Sequence, residues 1–294
     1  MDVLAEARGA SRRFGAFTAV SAADLVVRRG EVVGLLGANG AGKTTLIRLL
    51  LGLMRPSAGA VLLFGAPPSI SARRLVGYVP QTLGLFAGLT VAENWAFTSA
   101  AFRNPGARVP EAIAAWKNQL VGGLPLGAQR QVAFAVALSH RPEFLILDEP
   151  TSGVGPLGRA RLWDGIRHAA GEAAGVLVTT HNMEEAEQCD RLVVMAEGRV
   201  VATGTADEIT AGRTVAEVRC GDANRAFALL DAGGVPVQLH GSDLRIGAAA
   251  ATVAELLSRA GIEAAVEIVP ATLEEAFVEI VSAQALGNMA GDTA

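Results

Sequence analysis

The sequence predicts an α/β protein built on a mostly parallel sheet, followed by a smaller α+β module. Three observations carry this reading. An apolar run, Val32-Val33-Gly34-Leu35-Leu36, leads through a glycine-rich turn into a second run, Leu46-Ile47-Arg48-Leu49-Leu50, which is the order strand, turn, helix. The runs Phe144-Leu145-Ile146-Leu147 and Val176-Leu177-Val178 are continuous rather than alternating, as in strands buried on both faces of a parallel sheet. Near Gly212 the pattern shifts to short alternating strands and helices.

With 294 residues, 51% of them hydrophobic and 18% charged, the chain can bury a sizeable core and hold more than one domain. The net charge of -4 argues against a nucleic-acid partner held by bulk positive charge, and none is expected. Cys189 and Cys220 lie far apart without metal-type spacing and read as reduced thiols. The N-terminal residues lack a basic start followed by an apolar core, so no secretory signal is expected. No apolar run reaches the ~18 residues that span a bilayer, so work on a membrane would require a partner chain.

Residues 3–30 alternate loosely, with turns at Phe14-Gly15 and Arg29-Gly30, and read as antiparallel strands at a sheet edge. Val61-Leu62-Leu63-Phe64 and Leu75-Val76-Gly77-Tyr78-Val79 are further strands, the second ending at Pro80-Gln81. Thr90-Val91-Ala92-Glu93 is a capping box, opening a helix that runs toward Phe102 and breaks at Asn104-Pro105-Gly106. Helices are expected over 111–119 and from Ala128. Pro156 suits the first turn of the helix after Asp148-Glu149, and a short helix covers 184–188. Arg191-Leu192-Val193-Val194-Met195 and Arg199-Val200-Val201-Ala202 read as strands joined at Glu197-Gly198. Beyond Gly212 the pieces are 215–219, 223–230, 235–239, 244–246, 252–260, 265–269 and 272–281, in the order of a split β-α-β, ferredoxin-like module with an added helix. Thr272-Leu273-Glu274-Glu275 caps that last helix, and the tail is expected to be disordered. The expected domains are 1–212 and 213–284, with the tail over 285–294.

The chemistry starts at Gly37-Ala38-Asn39-Gly40-Ala41-Gly42-Lys43-Thr44-Thr45, which fits G-x-x-x-x-G-K-[ST]. Glycines let backbone N–H groups crowd around phosphate oxygens, and the helix that follows aims its positive end at the same anion. Lys43 can reach β- and γ-phosphates, and the Thr44 hydroxyl can ligate Mg²⁺. Asp148 ends a buried strand where a Mg²⁺-holding carboxylate belongs, and strand alternation turns Glu149 the other way, toward an attacking water. Gln81 and His181 also stand just past strands, where an amide could ligate metal or water and an imidazole could donate to a γ-phosphate. Taken singly, each of these two is also what an ordinary strand end carries.

The order Phe14, residues 37–45, Tyr78-Val79-Pro80-Gln81, Leu124-Pro125-Leu126-Gly127, 144–149 with Pro150-Thr151-Ser152-Gly153, and Thr179-Thr180-His181 resembles the ATP-binding subunit of an ABC transporter. The resemblance covers about residues 1–212, and 214–281 resemble the small C-terminal domain of many multidrug-type exporter ATPases. It implies a P-loop NTPase cassette with a mixed sheet, an antiparallel edge sheet and a helical arm. It implies ATP and Mg²⁺ as ligands. Phe14 would stack on adenine, residues 37–45 would hold the phosphates, and Thr44, Gln81 and Asp148 would serve the metal. Glu149 would activate water, with Lys43 and His181 on the γ-phosphate. Leu124 and Gly127 would belong to the segment that closes over a second cassette's ATP. The implied partners are a transmembrane permease on a separate chain and a second cassette, identical or different. The implied location is the cytoplasmic face of the membrane.

The chain also departs from that pattern. Where the family has LSGGQ, it has Leu124-Pro125-Leu126-Gly127-Ala128, so the serine hydroxyl is absent. A hydrogen bond to a charged group is worth ~1.5–3 kcal/mol, so this loss would weaken the closed dimer's hold on ATP ~10- to 100-fold. Gly155 stands where an aspartate is usual, and the arm between Gln81 and Leu124 is short, which implies a reduced docking surface. The principal reading is an exporter ATPase, and the alternative is a regulatory cassette that binds ATP with little hydrolysis. An ABC protein acting on ribosomes or DNA ranks last, because the chain has a single phosphate loop and no sustained heptads.

Overall fold

The computed structural model describes residues 2–103, 108–233, 235, 237–247 and 249–291, with 285–291 described by backbone alone. The chain divides into two compact units, Met1–Thr205 and Ala206–Ala294.

In the first unit, β1 (Val3–Phe14) and β2 (Phe17–Arg28) form a long hairpin that turns at Gly15, whose φ is +60°. The buried strand β3 (Val32–Leu36) leads to α1 (Lys43–Leu50), and β4 (Ala58–Leu63) returns to pair with β1. A short α2 (Ile70–Arg73), capped by the Ser69 hydroxyl, precedes β5 (Val76–Val79). An arm follows, made of α3 (Val91–Ala101), α4 (Glu111–Ala114), a 3-10 turn at Val121–Gly123 and α5 (Leu126–Leu138). The chain then re-enters the sheet through β6 (Phe144–Asp148), α6 (Pro156–Gly171), β7 (Gly175–Thr180), α7 (Met183–Ala186), β8 (Arg191–Ala196) and β9 (Arg199–Gly204).

The antiparallel sheet has the order β2-β1-β4. The main sheet has the order β5-β6-β7-β3-β8-β9 and is parallel except for β9. Strands β3, β6 and β7 are buried at every position, so both faces must be apolar and the sequence shows no alternation there. The arm keeps its own small core of Val91, Trp95, Ile113, Val121, Leu124 and Val132. Thr90 and Glu93 form the expected capping box at the start of α3. The expected break at 104–106 lies outside the described residues. The helix expected over 111–119 is shorter, because after Ala114 the chain turns to let the Val91 and Ala92 amides bond the Gln119 and Lys117 carbonyls.

The second unit holds α8 (Ala206–Thr210), β10 (Thr214–Cys220), α9 (Ala223–Ala232), β11 (Val237–His240), β12 (Asp243–Ile246), α10 (Ala250–Arg259), β13 (Ala264–Pro270) and α11 (Leu273–Gly291). Its antiparallel sheet has the order β11-β12-β10-β13, the split β-α-β arrangement. Ala216, Val218, Leu244 and Ile246 line one sheet face and pack against Ala226 and Leu230 of α9 and Val253 and Leu257 of α10. The division between units falls at Thr205 rather than near Gly212, because α8 packs on α11 and buries Ile209 there. The tail expected to be disordered from 285 instead continues α11 to Gly291. Ala285, Leu286, Met289 and Ala290 are strong helix formers, and no proline interrupts them. Among the described residues, no helix is long and apolar enough to cross a membrane.

Cys189 sits against the sheet beside Gly34, where an added Cβ would come within 2.8 Å of its sulfur. Burial pushes the Cys189 thiol up from 9.0 to about 12. Its contribution to stability is therefore fully present below pH 9.0 and is lost as pH rises toward about 12. At pH 8, iodoacetamide should label Cys220 alone in the native chain and both cysteines after unfolding, read by peptide mass spectrometry. Equal native labelling of Cys189 would contradict its burial.

Candidate functional site

The site is built where the parallel strands end. Strand β3 delivers residues 37–45 at its C-terminal edge. An added Cβ at Gly37 would stand 2.5 Å from the Met195 carbonyl oxygen, and one at Gly42 would stand 2.5 Å from that of Ala19. Gly42 also has a φ of +101°, a conformation that side chains other than glycine rarely adopt. Neighbouring strands thus press the loop into a shape that only glycine permits. Gly42 caps α1 without a side-chain bond, so the first N–H groups of the helix face forward, as an anion site requires. Asn39 and Gly40 form the exposed rim of the loop, and Thr45 is half-buried behind it.

The Lys43 ammonium folds back over this loop. It is 6% exposed and donates to the Gly37 carbonyl at 2.6 Å and to the Ala38 carbonyl at 3.1 Å. Burial lowers its pKa, while Glu149 and Asp148 act in the opposite sense. A phosphate in the loop would add a further countercharge to a cation that is already desolvated.

Asp148, at the end of β6, is 2% exposed. Its Oδ2 accepts from the Thr44 hydroxyl at 3.1 Å, and its Oδ1 accepts from the Thr179 hydroxyl at 2.7 Å. Thr179 in turn accepts from the Glu149 amide at 2.8 Å. Strand alternation does not aim Glu149. Its φ of +52° takes it out of the strand, and a left-handed turn sets its direction. The Gln81 amide nitrogen lies 3.2 Å from Glu149 Oε2, and His181 Nδ1 lies 3.6 Å from Oε1. Thr44, Gln81, Asp148, Glu149 and His181 therefore converge from the ends of β3, β5, β6 and β7. The hydroxyl, carboxylate and amide oxygens among them are the hard donors that Mg²⁺ takes.

Phe14, Leu124 and Gly127 make no hydrogen bond to this cluster among the described residues. Phe14 stands 42% exposed at the hairpin tip, with the Arg12 guanidinium 4.8 Å from its ring centre. Leu124 is buried in the arm core, and its carbonyl accepts from the Gln129 side chain. Pro125 caps α5 without a side-chain bond. An added Cβ at Gly153 would meet Leu126 Cδ2 at 2.7 Å, and one at Gly127 would lie 3.7 Å from Val154 Cγ1. The Leu126-Gly127 segment thus lies against the turn at Gly153-Val154, whereas an added Cβ at Gly155 would meet nothing within 4 Å.

Sequence reasoning missed Thr179, Arg130 and Glu185. Arg130, 6% exposed on α5, donates to the Glu149 carbonyl at 2.7 Å. Glu185, 2% exposed on α7, accepts from Thr151 and Thr180. Thr179 could have been found, since it is the penultimate residue of a buried strand, directly before Thr180-His181. Arg130 and Glu185 carry no local signal, because each has a partner in the turn after β6, far away in the sequence.

The family model for the ABC transporter matches residues 20–152. The probable multidrug ABC transporter ATP-binding protein YbhF of Escherichia coli (strain K12) is 38% identical over 71% of this chain, which spans only 38% of that protein's length. The daunorubicin resistance ATP-binding protein DrrA3 of Streptomyces coeruleorubidus is 36% identical over 92% of this chain and 94% of its own. A solved ATP-binding subunit of an ABC transporter superposes with a TM-score of 0.66 at 32% identity, covering 70% of this chain and 91% of that one.

Thr179→Val would leave Asp148 Oδ1 and the Glu149 amide without their shared buried partner. The expected loss of stability is about 1–3 kcal/mol, measured by urea unfolding against the wild type. An unchanged midpoint would show that the hydroxyl bridge contributes nothing.

Proposed function

Since this chain belongs to the ABC transporter ATP-binding family, we propose that it binds ATP with Mg²⁺ at residues 37–45 and hydrolyses it to drive export through a permease on another chain. The observation that supports this most is the convergence of Thr44, Gln81, Asp148, Glu149 and His181 beside the glycine loop, at the C-terminal edge of one sheet. In this reading the loop amides, the N-terminus of α1 and Lys43 hold the β- and γ-phosphates. Thr44 and Asp148 supply oxygen ligands for Mg²⁺, and Gln81 adds its amide oxygen. Bound Mg²⁺ neutralises charge on the phosphate oxygens. Glu149 takes the proton of the attacking water, and His181 donates to the γ-phosphate. Phe14 offers its half-exposed ring to the adenine.

A second cassette, identical or different, closes over this site, and Leu124 and Gly127 face its ATP in return. The contact from this chain then comes from the backbone at the start of α5, because Pro125 carries no hydroxyl. The export direction is supported by what the relatives are named for, multidrug transport and daunorubicin resistance. The assembly lies on the cytoplasmic face of the membrane, where ATP is available.

Lys43→Ala should weaken ATP binding about 10- to 100-fold, the worth of charge-assisted hydrogen bonds, measured by calorimetry. Unchanged affinity would overturn the phosphate site. Glu149→Gln should keep ATP affinity and lower turnover at least about 100-fold, as loss of a general base does. ATP binding with equal, background-level turnover in wild type and Glu149→Gln would mark a cassette that binds without hydrolysing.

A further inference from the structure

We propose that Glu185 is a positioning residue for ATP hydrolysis, holding the two loops that carry Glu149 and His181 in one register; this rests on the ATPase reading above. Glu185 lies in α7 and is 2% exposed. Its Oε1 accepts from the Thr151 hydroxyl at 2.6 Å, and its Oε2 accepts from the Thr180 hydroxyl at 2.8 Å. Each hydroxyl is itself buried, Thr151 at 5% and Thr180 at 3%. Arg159 of α6 brings its Nε to 3.4 Å from Oε1 and balances the charge.

The two arms of this carboxylate end on different machinery. Thr151 belongs to the tight turn that begins at Glu149, where the Ser152 amide reaches the Glu149 carbonyl and the Val154 amide reaches the Thr151 carbonyl. Thr180 is the peptide neighbour of His181, and its hydroxyl also accepts from the Asn182 amide at 3.0 Å. Asn182 then caps α7 by accepting from the Glu185 amide at 3.3 Å. The carboxylate therefore fixes where both loops leave the sheet.

Burying a charge between two strand ends is an expensive way to fill space, since apolar side chains pack there without desolvation. What a carboxylate adds is direction. It accepts two hydroxyls at defined angles, and neither loop can shift without losing a hydrogen bond in a dry site. Glu149 and His181 stand 3.6 Å apart across the same two strands, so a slip of either loop would misalign the pair.

The test uses the purified chain as wild type, Glu185→Gln, Thr151→Val and the double variant, with Glu149→Gln as background. Glutamine keeps the size of glutamate but replaces one acceptor by a donor, so one of the two hydroxyls can no longer donate to it. The expected result is a fall in kcat of about 10- to 100-fold, the scale of a small misplacement of reacting groups. KM for ATP should move by less than about twofold, because the loop that grips phosphate is untouched. The double variant should be no slower than Glu185→Gln by more than about twofold, because both changes cut one link. A kcat per folded molecule within about twofold of wild type would overturn the proposal. So would a loss that tracks the folded fraction seen in a thermal melt. If Glu185→Gln yields no folded chain, Thr151→Val cuts one arm alone and is read by the same criteria. Wild-type turnover no faster than Glu149→Gln would overturn the ATPase reading and this proposal together. Wild-type turnover above that background with Glu185→Gln unchanged would overturn this proposal alone.

Discussion

One buried carboxylate, Asp148, ties the site to the sheet. It is almost wholly removed from water, and it stays there because two hydroxyls, from Thr44 and Thr179, meet its two oxygens. Thr44 stands in the first turn of α1, the helix that follows β3, and Thr179 lies in β7, between β6 and β3 in the sheet. A charge on one strand that needs one partner on the next strand and another on the helix after a third can exist only if the strands are in register. The apolar runs of β3, β6 and β7 supply that register through burial, and the polar residues at their ends exploit it. The glycine loop follows from the same geometry, since the carbonyls of Ala19 and Met195 leave no room for a Cβ at Gly42 and Gly37.

The arm reaches the site through Arg130. Arg130 on α5 donates to the Glu149 carbonyl and so joins the helix after the Leu124-Pro125-Leu126-Gly127 segment to the peptide that carries Glu149. The unusual residues of that segment are not isolated substitutions. Leu126 fills the space over Gly153, and Val154 approaches both Gly127 and the site of an added Cβ at Gly158. Gly155, the other departure, takes no part in this packing, since an added Cβ there would meet nothing within 4 Å.

In the second unit the same logic of burial separates ion pairs that matter from those that decorate. Arg219 meets Glu217, Asp243 and Glu267 but is more than half exposed, so water screens most of that attraction. Arg245 is 11% exposed and meets Glu217, Glu275 and the Pro270 carbonyl. It fastens the start of α11 to β12 and β13, opposite the apolar face that α9 and α10 cover. Burial pushes the pKa of Glu275 up, but Arg245 and the hydrogen bonds from Thr272 bring it below the usual carboxylate value.

Much of this protein was written locally. The phosphate loop was legible because its glycines, lysine and threonine are consecutive, and the capping boxes at Thr90 and Thr272 were legible because both halves sit three residues apart. The buried strands showed as unbroken apolar runs, and Gln81, Asp148, Glu149 and His181 could be found because each directly follows such a run. The long α11 could have been read from its helix-forming residues. Tertiary structure alone decided the strand order that brings those ends together, the left-handed turn that aims Glu149, and the placement of α8 with the second unit. It also decided the roles of Arg130, Thr179 and Glu185. The physical reason is common to all of these: a sequence records each residue's own preferences, whereas a buried charge or a forbidden Cβ is defined by atoms that arrive from distant strands.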